Sequence, residues 1–197
     1  MKGACSVKKG LSVVSVVLIM IFILTACTTK PTNDNSNPEK SSSIGRPLDS
    51  DDPIPIWDIK LSPEEAYDAF KKIYPKAKVK EIELDKKDNF YVYEVEGYDG
   101  NIKHEVKIDP YGGDVLKVET EIDSKEKGEI LREDLAKIPE LIEKALKDAG
   151  EDFQPEEWSL EIKRGKIIFE VDVVDSNYRE IEYKYDLGTG KLIEKDM

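Results

Sequence analysis

The sequence predicts an α+β protein made of two tandem copies of one unit, each a main helix packed on an antiparallel sheet of three or four strands. Three observations lead there. A capped amphipathic helix is written at 62–74, apolar and charged residues alternate with period two after it, and both patterns return at an offset of 76 to 77 residues.

Lys2, Lys8 and Lys9 precede an apolar run from Leu11 to Leu24, which ends in Leu24-Thr25-Ala26-Cys27 and a polar stretch. That is the charge, apolar and small-residue order of an export signal. The run of roughly 14 residues falls short of the ~20 that span hydrocarbon, so residues 1–26 read as a signal peptide rather than a retained membrane helix. The tetrapeptide LTAC resembles the lipobox of bacterial lipoproteins, which implies lipidation of Cys27 as the new N-terminus and an anchor on the extracytoplasmic face of the cell membrane.

Cys5 falls in the discarded peptide and Cys27 would carry lipid, which leaves no pair for a disulfide. Removing residues 1–26 takes away three lysines and no acid, so the net charge moves from −12 to −15. Such a surface repels nucleic acid and anionic headgroups. Residues 27–55, rich in Ser, Asn, Asp and Pro, cannot offset their own ordering entropy and read as a disordered tether with a reach of roughly 25–30 Å.

The first helix opens with Ser62-Pro63-Glu64-Glu65: a serine cap, a proline at the first helical position, and a glutamate able to reach back to the cap. Ala66, Phe70 and Ile73 then recur at helical spacing. After Pro75 the period becomes two. Ile82 and Leu84, then Tyr91, Tyr93 and Val95, then Ile102, His104, Val106 and Ile108 mark half-buried antiparallel strands, with Asp99-Gly100 suited to a hairpin turn.

A shift of 76 places Pro63 on Pro139, Ala69 on Ala145 and Tyr93-Glu94-Val95-Glu96 on Phe169-Glu170-Val171-Asp172. One inserted residue later, Asp109 meets Asp186 and Gly113 meets Gly190. The expected domains are therefore 56–122 and 129–197. Units of this size bury only about 60% of their unfolded surface, so the two are expected to pack together. Pro139 should sit in the first turn of the second helix, with a short helix or bend before it.

Asp109 and Asp114 bracket a Pro-Tyr-Gly-Gly loop. If both were calcium ligands the second copy should keep both, yet Lys191 stands opposite Asp114, and calcium wants six to eight oxygens. The loop reads as a hairpin connection, with a cation site at Asp109 and Asp114 as the alternative.

The unit resembles the PepSY family, through Ser62-Pro63-Glu64-Glu65-Ala66, Tyr91-Val92-Tyr93-Glu94-Val95, Val106-Lys107-Ile108-Asp109 and Gly113-Asp114-Val115-Leu116. In the second copy the likeness rests on Ile168-Phe169-Glu170-Val171, Tyr183-Lys184-Tyr185-Asp186 and Gly190-Lys191-Leu192-Ile193. The resemblance implies a tandem-PepSY exported lipoprotein that acts by binding, in some members by inhibiting a peptidase, and brings no catalytic motif. The chain has one histidine, His104, on the apolar side of a strand, and no P-loop, nucleophile elbow or dinucleotide loop. It is read as no enzyme and as needing no cofactor.

Two functions follow as expectations. In the first, a membrane-tethered module binds or inhibits an exported protein, a thermolysin-type peptidase above all, with Tyr91 and Tyr93 as an aromatic binding surface on one strand face. In the second, the acidic chain is a cation or small-ligand sensor or buffer in the cell-wall space. Trp57 and Trp158 are read as packing domain ends, and Lys163-Arg164-Gly165-Lys166 as a solvated hairpin turn.

Overall fold

The structure, a computed structural model, describes residues 59–87, 90–123 and 128–197. The expected signal peptide, Cys27, the tether at 27–55 and Trp57 lie outside the described residues.

Helix α1 spans Pro63–Ile73. Ser62 Oγ accepts the N–H of Glu65 at 3.2 Å and Glu65 Oε2 accepts the N–H of Ser62 at 2.8 Å, so two orphan donors of the first turn are satisfied reciprocally. Its stripe of Ala66, Tyr67 and Phe70 is buried. An antiparallel meander follows: β1 (Lys78–Lys87), β2 (Phe90–Asp99), β3 (Ile102–Ile108) and β4 (Val115–Ile122). Gly100, at φ +66°, supplies the left-handed turn between β2 and β3 that its sequence suggested.

A 3₁₀ turn at Arg132–Lys137 then feeds helix α2 (Ile138–Ala149), and Pro139 stands in the first turn, where a missing N–H costs nothing. A second meander follows: β5 (Phe153–Lys163), β6 (Lys166–Asp175), β7 (Glu180–Asp186) and β8 (Lys191–Asp196). Arg164 and Gly165, at φ +54° and +77°, close the tight β5–β6 hairpin.

The two meanders do not keep separate sheets. All the strands form one antiparallel sheet of eight, in the order β4-β3-β2-β1-β5-β6-β7-β8. Each half repeats the order helix and four strands, and they join edge to edge where β1 pairs with β5 through Ile82 opposite Leu160, Glu83 opposite Ser159 and Leu84 opposite Trp158. Joining these edges satisfies two rows of backbone groups that separate sheets would leave open.

Both helices lie against one face. Ile82, Leu84, Tyr93, Leu160, Phe169 and Val171 point toward them and are buried with Phe70, Leu141 and Ala145 in one core. Trp158 is buried at the seam rather than at a domain end, its ring 6.0 Å from Tyr93 in the first half and 6.2 Å from Phe169 in the second. A Cβ at Gly97 would stand 2.7 Å from a ring carbon of Phe70, so glycine is what lets α1 approach β2. β4 and β8 are exposed at every residue, although Asp148 of α2 accepts from Lys195 of β8 at 2.7 Å.

Candidate functional site

Because the apolar residues of each strand turn toward the helices, the charged residues between them share the opposite face. The register arranges them in rows. Glu105, Glu96, Glu81 and Glu161 oppose one another in turn across β3, β2, β1 and β5. Glu157, Asp172, Glu182 and Asp196 do the same across β5, β6, β7 and β8. Strands lie about 4.8 Å apart, so each row is a line of carboxylates at that spacing. Between the rows runs Lys107, Glu94, Glu83, Ser159, Glu170 and Lys184.

The lysines hold the outer parts of this face together. Lys107 Nζ lies 3.2 Å from Glu105 and also pairs with Glu94, while Lys184 Nζ lies 3.3 Å from Glu170 and 2.5 Å from Glu182. These two clamps occupy equivalent positions in the repeat. Lys103 adds contacts of 2.8 Å to Glu96 and 3.0 Å to Glu121.

The centre is different. A shallow depression of about 240 Å³ lies over the seam, with Glu83, Asp85, Glu157, Ser159, Glu170 and Asp172 on its walls. Burial, and then the neighbouring carboxylates, push Glu81, Glu83 and Asp172 up to about 7. Burial also raises Glu157. Oδ1 of Asp172 is fully buried and has no hydrogen-bond partner among the described residues. Such a face attracts protons and cations.

Tyr91 and Tyr93 lie on the other face. They are 0% and 2% exposed, under the helices, and the Tyr93 hydroxyl donates to the carbonyl of Leu61 at 3.0 Å. The expected aromatic binding surface is therefore corrected: both rings belong to the core, because their face is the one the helices cover. His104 is on that face too, near the edge, stacked on Tyr74 at 3.8 Å between ring centroids and with Nδ1 3.1 Å from Thr120 Oγ1.

Asp109 is 2% exposed and its carboxylate accepts the N–H groups of Tyr111 at 3.2 Å and Gly112 at 3.0 Å. The N–H of Asp109 donates to the carbonyl of Asp114 at 2.8 Å, and Gly113 turns the chain at φ +74°. In the second half Asp186 accepts the N–H of Thr189 at 3.0 Å and Gly190 takes φ +64°. Both loops are built as hairpin turns closed by an aspartate. Among the described residues, the groups that gather three carboxylate oxygens within 4.8 Å of one another are Glu94, Glu96 and Glu105, and Glu182, Glu194 and Asp196; neither includes Asp109 or Asp114.

The rows were missed in the sequence because a chain with 42 acids offers too many pairs. The signal that could have found them is the alternation Glu81, Glu83, Asp85 and Glu94, Glu96 read together with the repeat, which places Glu170 and Asp172 beside them.

Residues 60–119, from the approach to α1 into β4, match the family described as peptidase propeptide and YPEB domain, PepSY. Over these residues the chain is similar to PepSY domains. A comparison with curated proteins found no match. Among solved structures, the chain is similar to the crystal structure of a candidate lipoprotein from Clostridium difficile 630, at 26% identity and a TM-score of 0.54, over 71% of this chain and 94% of that one. No helix among the described residues is long and apolar enough to cross a membrane. The PepSY segment contributes α1, β1, β2, β3 and the start of β4, hence half of the acidic face and one open edge of the sheet.

Proposed function

We propose that the chain is an extracytoplasmic binding module, tethered to the cell membrane through lipid on Cys27, that engages an exported protein, with a thermolysin-type peptidase as the first partner to test. The observation that carries this reading is β4. It is the outer edge of the sheet on the PepSY side and is exposed along its whole length. Its outward backbone groups can take an extended segment of a partner as a further strand. Val115, Leu116, Val118 and Ile122, all substantially exposed, offer that strand apolar contacts. No catalytic group is needed for such an interaction. The acidic face and the net charge steer the module toward a basic partner and make association weaken with salt.

Within this reading residues 56–122 and 129–197 are two units of the same kind. The neighbouring candidate lipoprotein and the LTAC sequence support the lipid anchor. The test is retention and inhibition of thermolysin-type peptidases by the full chain at low and high ionic strength, beside the Val118→Lys variant, which sets a charge on the edge. The reading fails if no exported peptidase from the same source is slowed or retained at about micromolar concentration.

The alternative of a cation sensor or buffer draws on the two carboxylate trios. It is the weaker reading for the first of them, because the ammonium groups of Lys103 and Lys107 already lie against Glu96 and Glu105 at 2.8 and 3.2 Å. Calcium titration decides it, with saturable binding and a rise in Tm in its favour.

A further inference from the structure

The sheet is joined at its middle through strands that oppose like charges on one face. Glu81 has Glu96 on one side and Glu161 on the other. Glu83 has Glu94 and Ser159. Asp172 has Glu157 and Glu182. Like charges directly opposite across strands are destabilising. Cations reach the surrounding acids: Lys87 pairs with Asp85, Lys163 pairs with Glu161 and lies 3.8 Å from Glu170, Lys103 and Lys107 hold the β2–β3 side, and Lys184 holds the β6–β7 side. Glu156 is paired with Lys86, and Glu180 lies further along β7 from Glu182. Lys163 acts on Glu81 and Lys87 on Glu83, but burial and the neighbouring acids outweigh them.

We propose that this seam is a proton-operated brace: protonation of Glu81, which faces Glu161 across the β1–β5 joint, fastens the two halves of the sheet, while protonation of Glu83 against Glu94 and of Asp172 against Glu157 tightens the strands on either side of that joint, and deprotonation slackens them. The geometry supplies the means. Side chains opposite each other on neighbouring strands have Cβ atoms about 5 Å apart, so a carboxylic acid can donate its proton to the carboxylate across from it. A repulsive pair becomes a hydrogen-bonded one. The half-buried position of the three groups raises their proton affinity into the range near neutrality, to about 7 from ordinary values of 4.5 and 3.8.

The direction follows from linkage. The folded chain binds more protons than the unfolded one between the two values, so stability rises as pH falls from about 7 to about 4.5 and is lowest above that window. A module on the outer face of a membrane meets such changes, and its two halves would respond at their joint.

The test uses the full chain and reads thermal unfolding, together with hydrogen exchange of the β1 and β5 amides, at about pH 8 and about pH 5. The expected result is a Tm higher in acid by roughly 5 °C, with slower exchange at the seam. The triple variant Glu81→Gln, Glu83→Gln, Asp172→Asn should raise Tm at the higher pH and flatten the difference. A control carrying Glu133→Gln, Glu143→Gln and Glu151→Gln, exposed sites outside the sheet, removes the same charge and should leave the difference in place. The proposal is overturned if the triple variant keeps the full pH dependence, or if the control flattens it as much. Should the triple variant not fold, Asp172→Asn alone carries the comparison, with a smaller flattening expected and an unchanged slope counting against the brace.

Discussion

Glu83 on β1 and Ser159 on β5 stand directly opposite each other, and they are equivalent positions of the two halves, 76 residues apart. Residues that face their own equivalents are the mark of a two-fold axis, the arrangement found between identical subunits. On either side of that point the partners exchange: Ile82 meets Leu160, the equivalent of Leu84, and Leu84 meets Trp158, the equivalent of Ile82.

The axis predicts the effect of restoring symmetry. Ser159→Glu would set a second carboxylate against Glu83, and like charges opposite each other cost about 0.5–1 kcal/mol. Thermal unfolding should show the loss at alkaline pH and a smaller one in acid. An equal loss at both would mean that packing, and not charge, is responsible.

Gly97→Ala should destabilise the chain by about 1–3 kcal/mol, the usual cost of overpacking. The added carbon meets the Phe70 ring at 2.7 Å and the carbonyl oxygen of Lys78 at 2.9 Å. Phe70→Leu in the same chain should recover part of the loss, and a double-mutant cycle measures how much.

Tyr93→Phe removes the hydroxyl that reaches Leu61 and should cost about 1 kcal/mol, leaving the Leu61 carbonyl without its donor. Tyr91→Ala and Tyr93→Ala should each cost about 3–5 kcal/mol, as core truncations do. Denaturant unfolding checks both. Any effect of these truncations on partner binding should vanish when binding is compared among the folded fractions.

Stability should peak in mild acid. The seam carboxylates gain as pH falls from about 7 to about 4.5. At lower pH the opposite sign takes over at Asp175, held down to about 2 by the N–H of Arg179 and then by its guanidinium, whose Nε lies 2.6 Å away. Its folded value is below the ordinary 3.8, so its contribution is present above that value and lost as pH falls toward about 2. A Tm profile that climbs steadily toward alkaline pH would contradict this account.

Cys27→Ala should abolish labelling of the chain by radioactive or clickable fatty acid and move it from the membrane fraction to the medium or the periplasmic fraction. Retention in the membrane with no label would place the anchor elsewhere.

Local physics made much of the fold legible. The Ser62–Glu65 box, the proline at 63, the positive-φ glycines at 100, 113 and 165, and the two-residue alternation each act within a few residues, so α1, the strands and the hairpins could be read before any contact was known. The return of both patterns at an offset of 76 to 77 residues likewise stood in the sequence. Alternation, however, names two faces without saying what covers them: Tyr91 and Tyr93 could be read as a surface or a core until the helices were seen to lie on their side. It also leaves open which edges meet. β1 and β5 are more than sixty residues apart in the chain, and only their pairing turns scattered glutamates into rows, brings Trp158 to the middle, and sets Glu81 against Glu161. Strand register is a relation between distant segments, fixed by what the whole sheet buries, and so the acidic face came into being only with the tertiary structure.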